Sequence, residues 1–194
     1  MMSAEGRAAD VMTVRKARMG DIGGLMTLIN GYAREGIMLP RNEFELSESI
    51  RDFTVLTEGE KFLGCAALHF YGPTLAEVRS LAVDPAAKGH GAGRLLMDAL
   101  EREAREFDLE ALFAFTYVAG FFRKMDYLEV DRSDLPLKAW KDCLRCPKFQ
   151  ACDEIAVVKS LKPGETLASL SSSPEDRLVS LPVPQNPTLI KLGL

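Results

Sequence analysis

Histidine is almost missing from this chain, with His69 and His90 alone among 194 residues. So small a supply leaves little scope for a His-based metal site. An excess of positive charge is missing too. The 24 Lys and Arg are outnumbered by 28 Asp and Glu, for a formal net charge of −4. No basic stripe interleaved with aromatics occurs, so a nucleic-acid partner is not expected. No apolar run approaches the roughly 18 residues of a membrane span. Residues 1–10 also lack the apolar stretch of a secretory signal. These absences predict a cytoplasmic protein that engages neither membrane nor nucleic acid.

At 47% apolar and 27% charged residues, the chain suits one soluble domain with a substantial core. Val11 to Arg18 reads as a short strand. Asp21 is placed to cap a helix that turns Ile22, Leu25, Met26, Leu28 and Ile29 inward and ends near Gly36. Ile37 to Arg41 is a loop, and Ser47 is expected to cap a brief second helix through Asp52. Phe53–Leu56 and Phe62–Tyr71 form a hairpin about Glu58-Gly59-Glu60. A strand over Ala76–Val83 closes at Asp84-Pro85. A helix over Arg94–Phe107 follows, with Leu95, Leu96, Ala99, Leu100 and Ala104 at helical spacing. Then come a strand over Ala111–Thr116, a short helix at Phe121, a strand near Tyr127 and a closing strand over Asp153–Leu161. Residues 11–161 thus read as one mixed α/β domain. Residues 162–194 read as a Pro/Ser-rich C-terminal tail, containing Ser171-Ser172-Ser173-Pro174 and Pro182-Val183-Pro184. Leu178, Val179, Leu181, Leu189 and Ile190 also suit packing on this domain or on a neighbouring subunit, which leaves a homodimer open.

The densest chemistry lies in Lys88-Gly89-His90-Gly91-Ala92-Gly93-Arg94, between a strand and a helix. A Gly-rich turn there exposes consecutive backbone N–H groups at the positive end of the helix dipole, a cradle for phosphate. It lacks the Ser or Thr of a Walker loop, since Arg94 follows Gly93, and it lacks the third glycine of a dinucleotide fingerprint. What it matches is basic-x-x-Gly-x-Gly after Val-Asp-Pro. A second block, Ala119-Gly120-Phe121-Phe122-Arg123-Lys124-Met125-Asp126-Tyr127, follows the next strand.

In this order and spacing the two blocks resemble the GNAT family of N-acetyltransferases. That resemblance implies a central mixed, mostly antiparallel sheet with flanking helices, and acetyl-CoA as cosubstrate. Lys88, Gly89, His90, Gly91, Ala92, Gly93 and Arg94 would hold the pyrophosphate. Leu81, Ala82 and Val83 would present backbone groups to the pantetheine arm, and Phe122 and Lys124 would complete the CoA site. Two positions depart from the family pattern: Asp126 replaces a glycine, and Phe122 replaces the tyrosine that often protonates the departing thiolate. Glu77 is then the candidate general base, and Thr116 the candidate acid with Tyr117 its rival.

Closer likeness is to the single-domain bacterial N-acetylglutamate synthases. It is carried by Gly36-Ile37-Met38-Leu39-Pro40-Arg41, Gly64-Cys65-Ala66-Ala67-Leu68, Glu77 to Val83 and Asp134-Leu135-Pro136. It implies acetylation of glutamate, the first step of arginine biosynthesis, with Arg41 gripping a carboxylate. A second carboxylate would fall to Arg79, Lys138, Lys141 or the backbone near Ser80. Another amine acceptor, a protein N-terminus or a non-catalytic acyl-CoA sensor stays open. Cys143, Cys146 and Cys152 stand at C-x2-C-P-x4-C. Three thiolates leave a structural Zn²⁺ one ligand short, with Cys65, Asp153, Glu154, a His or a second subunit to complete it; free thiols are the alternative.

Overall fold

The computed structural model describes residues 11–135, 144, 146, 148 and 151–162. The predicted tail from residue 163 onward, with Lys138, Lys141 and Cys143, lies outside the described residues. Strand β1 (Met12–Lys16) leads into helix α1 (Ile22–Arg34) and the short α2 (Glu43–Glu48). The hairpin of β2 (Phe53–Glu58) and β3 (Lys61–Phe70) follows, then β4 (Leu75–Val83) and α3 (Ala92–Glu106). The remaining elements are β5 (Ala111–Thr116), α4 (Ala119–Arg123), β6 (Leu128–Val130) and β7 (Ile155–Ser160). Among the described residues seven strands join one sheet, in the order β1-β2-β3-β4-β5-β7-β6. Only β4 and β5 run parallel, joined by the α3 crossover; every other neighbouring pair is antiparallel. This is the mixed, mostly antiparallel sheet with flanking helices that the sequence predicted.

The core lies on both faces of the sheet. On one, α3 and α4 bury Leu96, Met97, Leu100 and Phe122 against Leu56, Leu68, Val78 and Leu112. On the other, α1 and α2 cover Val55, Cys65 and Ala67 with Leu25, Ile29 and Leu46. A third cluster joins Phe113 and Val158 to Leu135. Helix α3 begins at Ala92, earlier than predicted, and buries Ala92, Leu96, Met97, Leu100 and Ala104. Leu95, expected to face inward, is 39% exposed. The row at i, i+4, i+8 and i+12 from Ala92 sets the buried stripe, and Met97 rather than Leu95 flanks it.

Two caps differ from the sequence reading. Asn42, not Ser47, starts α2: its Oδ1 accepts the Glu45 N–H at 2.9 Å while Glu45 Oε2 accepts the Asn42 N–H at 3.1 Å. A polar residue with Glu three positions on is the reciprocal box that satisfies two helix-end donors at once. Ser47 sits inside the helix and donates to the Glu43 carbonyl. Asp21 precedes α1 but binds the Arg15 guanidinium at 2.7 and 2.9 Å and the Arg18 N–H at 2.7 Å. The Arg15 hydrogen bonds hold its carboxyl below the usual aspartate range and pin β1 to the start of α1.

The feature that shapes the site is a bulge in β4. Arg79 faces Ala67 on β3, yet Ala82 faces Cys65, so β4 holds one residue more than its partner. Ser80 absorbs it with φ of +52°, a left-handed conformation uncommon for a residue with a Cβ. A single inserted residue reverses which face every later side chain meets. Ala76 and Val78 pack on the α3 side; past the bulge Leu81 and Val83 take that side, and Ala82 turns to the α1 side. Ser80→Val places a β-branched side chain at positive φ and should destabilise the fold by about 1–3 kcal/mol. Ser80→Gly should hold or raise the melting temperature, and thermal unfolding of the two variants checks both.

Candidate active site

Strands β4 and β5 pair only through Leu75, Ala76 and Glu77, opposite Ala111, Leu112 and Phe113. Beyond that point β4 stays with β3 as far as Val83, while β5 stays with β7 as far as Thr116. The two parallel strands therefore part, and a cavity of about 380 Å³ opens in the gap. Glu77, Arg79, Ser80 and Leu81 line one side of it, and Thr116 and Tyr117 the other. Arg41 enters from the loop after α1, and Phe122 from α4. A strand edge without a sheet partner offers backbone donors and acceptors to an extended ligand.

Glu77 is the buried acid of this cleft, 9% exposed. The Tyr71 hydroxyl donates to its Oε2 at 3.0 Å, and the Arg79 Nε lies 3.8 Å from the same oxygen. Burial pushes the carboxyl above its ordinary pKa, and the Arg79 charge and the Tyr71 hydrogen bond offset this only in part. A carboxylate of raised pKa in a cleft can take a proton from an amine.

Arg41 is held by its backbone. The Asn30 side chain on α1 donates to the Arg41 carbonyl and accepts its N–H, each at 2.9 Å. This two-point clasp fixes where the loop offers the guanidinium. Arg41 also borders a second hollow, lined with Asn30, Arg34 and Glu45.

Thr116 is buried, and its Oγ1 accepts the Val118 N–H at 3.0 Å, closing the turn into α4. A hydroxyl that accepts one bond keeps its own proton to give. The Tyr117 hydroxyl receives the Lys148 ammonium at 3.2 Å, and Lys148 also lies over the ring and 3.6 Å from Asp153. Burial raises the Tyr117 phenol above its usual value. Phe122 is buried edge-on against Phe121 and Tyr127 and carries no proton.

The Gly-rich loop sits at the surface. Gly89 and Gly91 adopt φ of +82° and +83°, and Gly91 caps α3. The N–H groups that open α3 at Ala92, Gly93 and Arg94 have no carbonyl one turn earlier in the helix. A Cβ on Gly93 would stand 3.3 Å from the Phe121 ring, so this glycine lets α3 approach α4. The Lys88 ammonium lies 4.8 Å from the Tyr32 ring centre, and the Tyr32 hydroxyl donates to the Val83 carbonyl at 2.6 Å. Of the three predicted pantetheine residues, Leu81 lines the cleft, Ala82 is buried opposite Cys65, and the Val83 carbonyl is engaged by Tyr32. His90, Arg94 and Lys124 are exposed, with Arg94 beside Asp98. Asp126 takes the left-handed position, φ +65°, that its place in the motif required.

Cys146 and Cys152 line the cleft, and the Cys152 Sγ lies 3.8 Å from Glu154 Oε2. Cys65 is buried beside the bulge, 3.5 Å from the Ser80 carbonyl, its thiol pushed up to about 12 by burial. Among the described residues no group of three or more side chains could hold a metal ion. The sequence reading missed Asn30, Tyr71, Arg132 and Lys148. Arg132 and Lys148 line the cleft, and Arg132 donates to the Glu154 carbonyl and lies over the Phe115 ring. No spacing rule links any of the four to the motifs; folding alone brings them there.

This geometry has known counterparts. Residues 28–127 match the Acetyltransferase (GNAT) family. An uncharacterized N-acetyltransferase of Chlorobaculum tepidum is 44% identical over 154 residues, which cover 79% of this chain and 99% of that protein. An amino-acid acetyltransferase of Mycobacterium tuberculosis is 33% identical over 135 residues, 68% of this chain and 77% of that one. Among solved structures, N-acetylglutamate synthase from Neisseria gonorrhoeae, complexed with coenzyme A and N-acetyl-glutamate, superposes with a TM-score of 0.71 at 28% identity. That match covers 78% of this chain and 35% of the Neisseria chain. With the splayed strands, the Gly-rich cap of α3 and these relatives taken together, the chain belongs to the GNAT family and is an N-acetyltransferase.

Proposed function

We propose that this enzyme transfers the acetyl group of acetyl-CoA directly to the α-amine of glutamate in a ternary complex. The observation that carries the reading is the convergence of Glu77, Arg41 and Arg79 on the one cavity where β4 loses β5. The N–H groups from Gly89 to Arg94, with Lys88, hold the pyrophosphate. The free edge of β4 near Leu81 to Val83 takes the pantetheine arm and aims one N–H at the thioester oxygen. Arg41 grips a carboxylate of glutamate with two parallel hydrogen bonds, which fixes the amine against the thioester. Arg79 and the Ser80 backbone receive the second carboxylate. Glu77 takes the proton of the amine, directly or through water, and Thr116 or Tyr117 returns one to the thiolate in place of the missing Phe122 hydroxyl. An acetyltransferase of M. tuberculosis and a Neisseria synthase named for amino-acid and glutamate substrates support the choice of acceptor.

Release of free thiol from acetyl-CoA, measured with a panel of amino acids and amines, tests the reading. Glutamate-dependent release is expected. Turnover with a different amine alone would overturn the acceptor, and CoA binding without any turnover would leave a binding module. Arg41→Ala should raise the KM for glutamate about 30- to 100-fold and that for acetyl-CoA less than about twofold. Glu77→Gln should lower kcat by about 10²- to 10⁴-fold with little change in either KM.

The pKa of Glu77 adds two expectations of definite sign. The base must be ionised, so kcat/KM should fall on acidification through a pKa lying above the usual glutamate range. A carboxyl whose folded pKa is raised favours its neutral form in the fold. Its stabilising effect is complete below the unfolded pKa and is lost as pH rises through the folded one. Glu77→Gln, always neutral, should therefore melt at a higher temperature than the parent at pH 8 and at nearly the same temperature at pH 4.

A further inference from the structure

Tyr71 has no place in any motif, yet it makes the closest contact to the proposed base. It lies just past β3, where its N–H donates to the Leu75 carbonyl at 2.9 Å and closes the turn into β4. Its ring is edge-on to His69, with centroids 5.1 Å apart, and tilted against the fully buried Phe113 at 5.4 Å. Phe113 is also the residue paired with Glu77 across the β4–β5 ladder. The ring is thus wedged among groups the sheet already fixes, which sets the direction of its hydroxyl. That direction is Glu77 Oε2, at 3.0 Å. Arg79 Nε approaches the same oxygen at 3.8 Å. Among the described residues both contacts fall on Oε2, which leaves Oε1 to the cleft.

We infer that Tyr71 is a positioning residue for the acetyl-transfer base: its hydroxyl anchors Glu77 Oε2, so that Oε1 alone meets the incoming amine or its water. The inference rests on the reading of Glu77 as the base. A side chain able to swing would spend part of its time with neither oxygen aligned, and alignment carries much of the advantage of general-base catalysis. The hydroxyl has a second effect of the same origin. As a donor to the carboxylate it favours the charged form and opposes the burial that disfavours it. Among the described residues four groups face Glu77: Tyr71 from the turn after β3, His69 directly opposite on β3, Arg79 two residues along β4, and Glu154 ahead of β7. His69 is itself held by Asp52, its Nδ1 lying 2.9 Å from the Asp52 carboxylate. Arg79 and a protonated His69 favour the charged carboxylate; Glu154 opposes it. Of the four, Tyr71 alone makes a hydrogen bond to Glu77 among the described residues.

The test is the pH profile of kcat/KM for the acceptor in Tyr71→Phe, which keeps the wedged ring and removes only the hydroxyl. Loss of the donor should move the acidic limb to higher pH, lowering kcat/KM about tenfold at pH 7 and by less at pH 9. The KM for acetyl-CoA should stay within about twofold. Replacing Tyr71 with 3,5-difluorotyrosine, a stronger donor, should move the same limb the opposite way, to lower pH. Circular dichroism and the melting temperature report whether each variant is folded, and the difluoro protein, which leaves the ring and hydroxyl in place, covers the case in which Tyr71→Phe fails to fold. An acidic limb that stays put in both variants would overturn the proposal. Glu77→Gln, measured alongside, separates the two levels. If it retains the parent turnover and limb, the base assignment itself has failed. If it loses both while the Tyr71 variants keep an unmoved limb, only the anchoring role has failed.

Discussion

Everything about the site depends on where one ladder of hydrogen bonds stops. Parallel strands are joined by a crossover, here α3, and ordinarily run together along their shared length. In this sheet β4 and β5 hold each other for three residues and then diverge, each still paired on its outer side. Glu77 is the last residue of that ladder. Its backbone is clamped on both sides, to His69 and to Phe113, while its side chain meets the opening gap. A reactive group on the final paired residue combines a rigid base with an accessible head, which neither the ladder's middle nor the free edge could supply. The Ser80 bulge follows three residues later and turns the free stretch, so that its backbone edge borders the cleft rather than a partner strand. Neighbours hold the distortion in place: the Cys65 thiol meets the Ser80 carbonyl and the Tyr32 hydroxyl meets that of Val83.

The charge of the cleft runs against that of the chain. The protein as a whole carries a formal −4. Among the described residues, the charged side chains of the cleft walls are Arg41, Arg79, Arg132 and Lys148 against Glu77 and Glu154. A concave site lined with one sign of charge in an otherwise opposite field concentrates ligands of the complementary sign. That layout complements the proposed acceptor, which carries two carboxylates and one amine. The cations favour ionisation of the two acids, but burial outweighs them and is the leading cause of the upward shift in both Glu77 and Glu154.

How much of this was legible beforehand depended on the range of the interaction. Strands β2 to β5 and β7 follow from short apolar runs bounded by turn residues, and β5 was predicted at its observed limits. The Gly-rich block needed only adjacency, because a strand, two left-handed glycines and a helix start are contiguous in the chain. The bulge left no mark, since Ser80 adopts a conformation for which the eye looks to glycine. The inward stripe of α3 matches the expected spacing at Leu96, Leu100 and Ala104 and differs at Leu95. The helix instead packs small Ala92 and Ala104 close to the sheet and turns Leu95 outward. Least legible were the side chains that act through another. Asn30 reaches Arg41 only because α1 folds back along its own following loop, and Lys148 reaches Tyr117 from 31 residues away.

The two halves of the site tolerate change differently, and the reason is which atoms do the binding. In the proposed CoA grip at the cap of α3 the ligands would be backbone N–H groups, so His90 and Arg94 can project into solvent without weakening it; what matters is that Gly89 and Gly91 reach positive φ and that Gly93 leaves room for Phe121. Across the cleft the proposed binding groups are side chains, each with a neighbour that holds it: Asn30 clasps the Arg41 backbone, Tyr71 bonds Glu77 and Lys148 bonds Tyr117. Sequence drift can pass through the first half while its three glycines persist. In the second half a change at one residue frees its neighbour to move, and acceptor choice is the property that such a change would alter first.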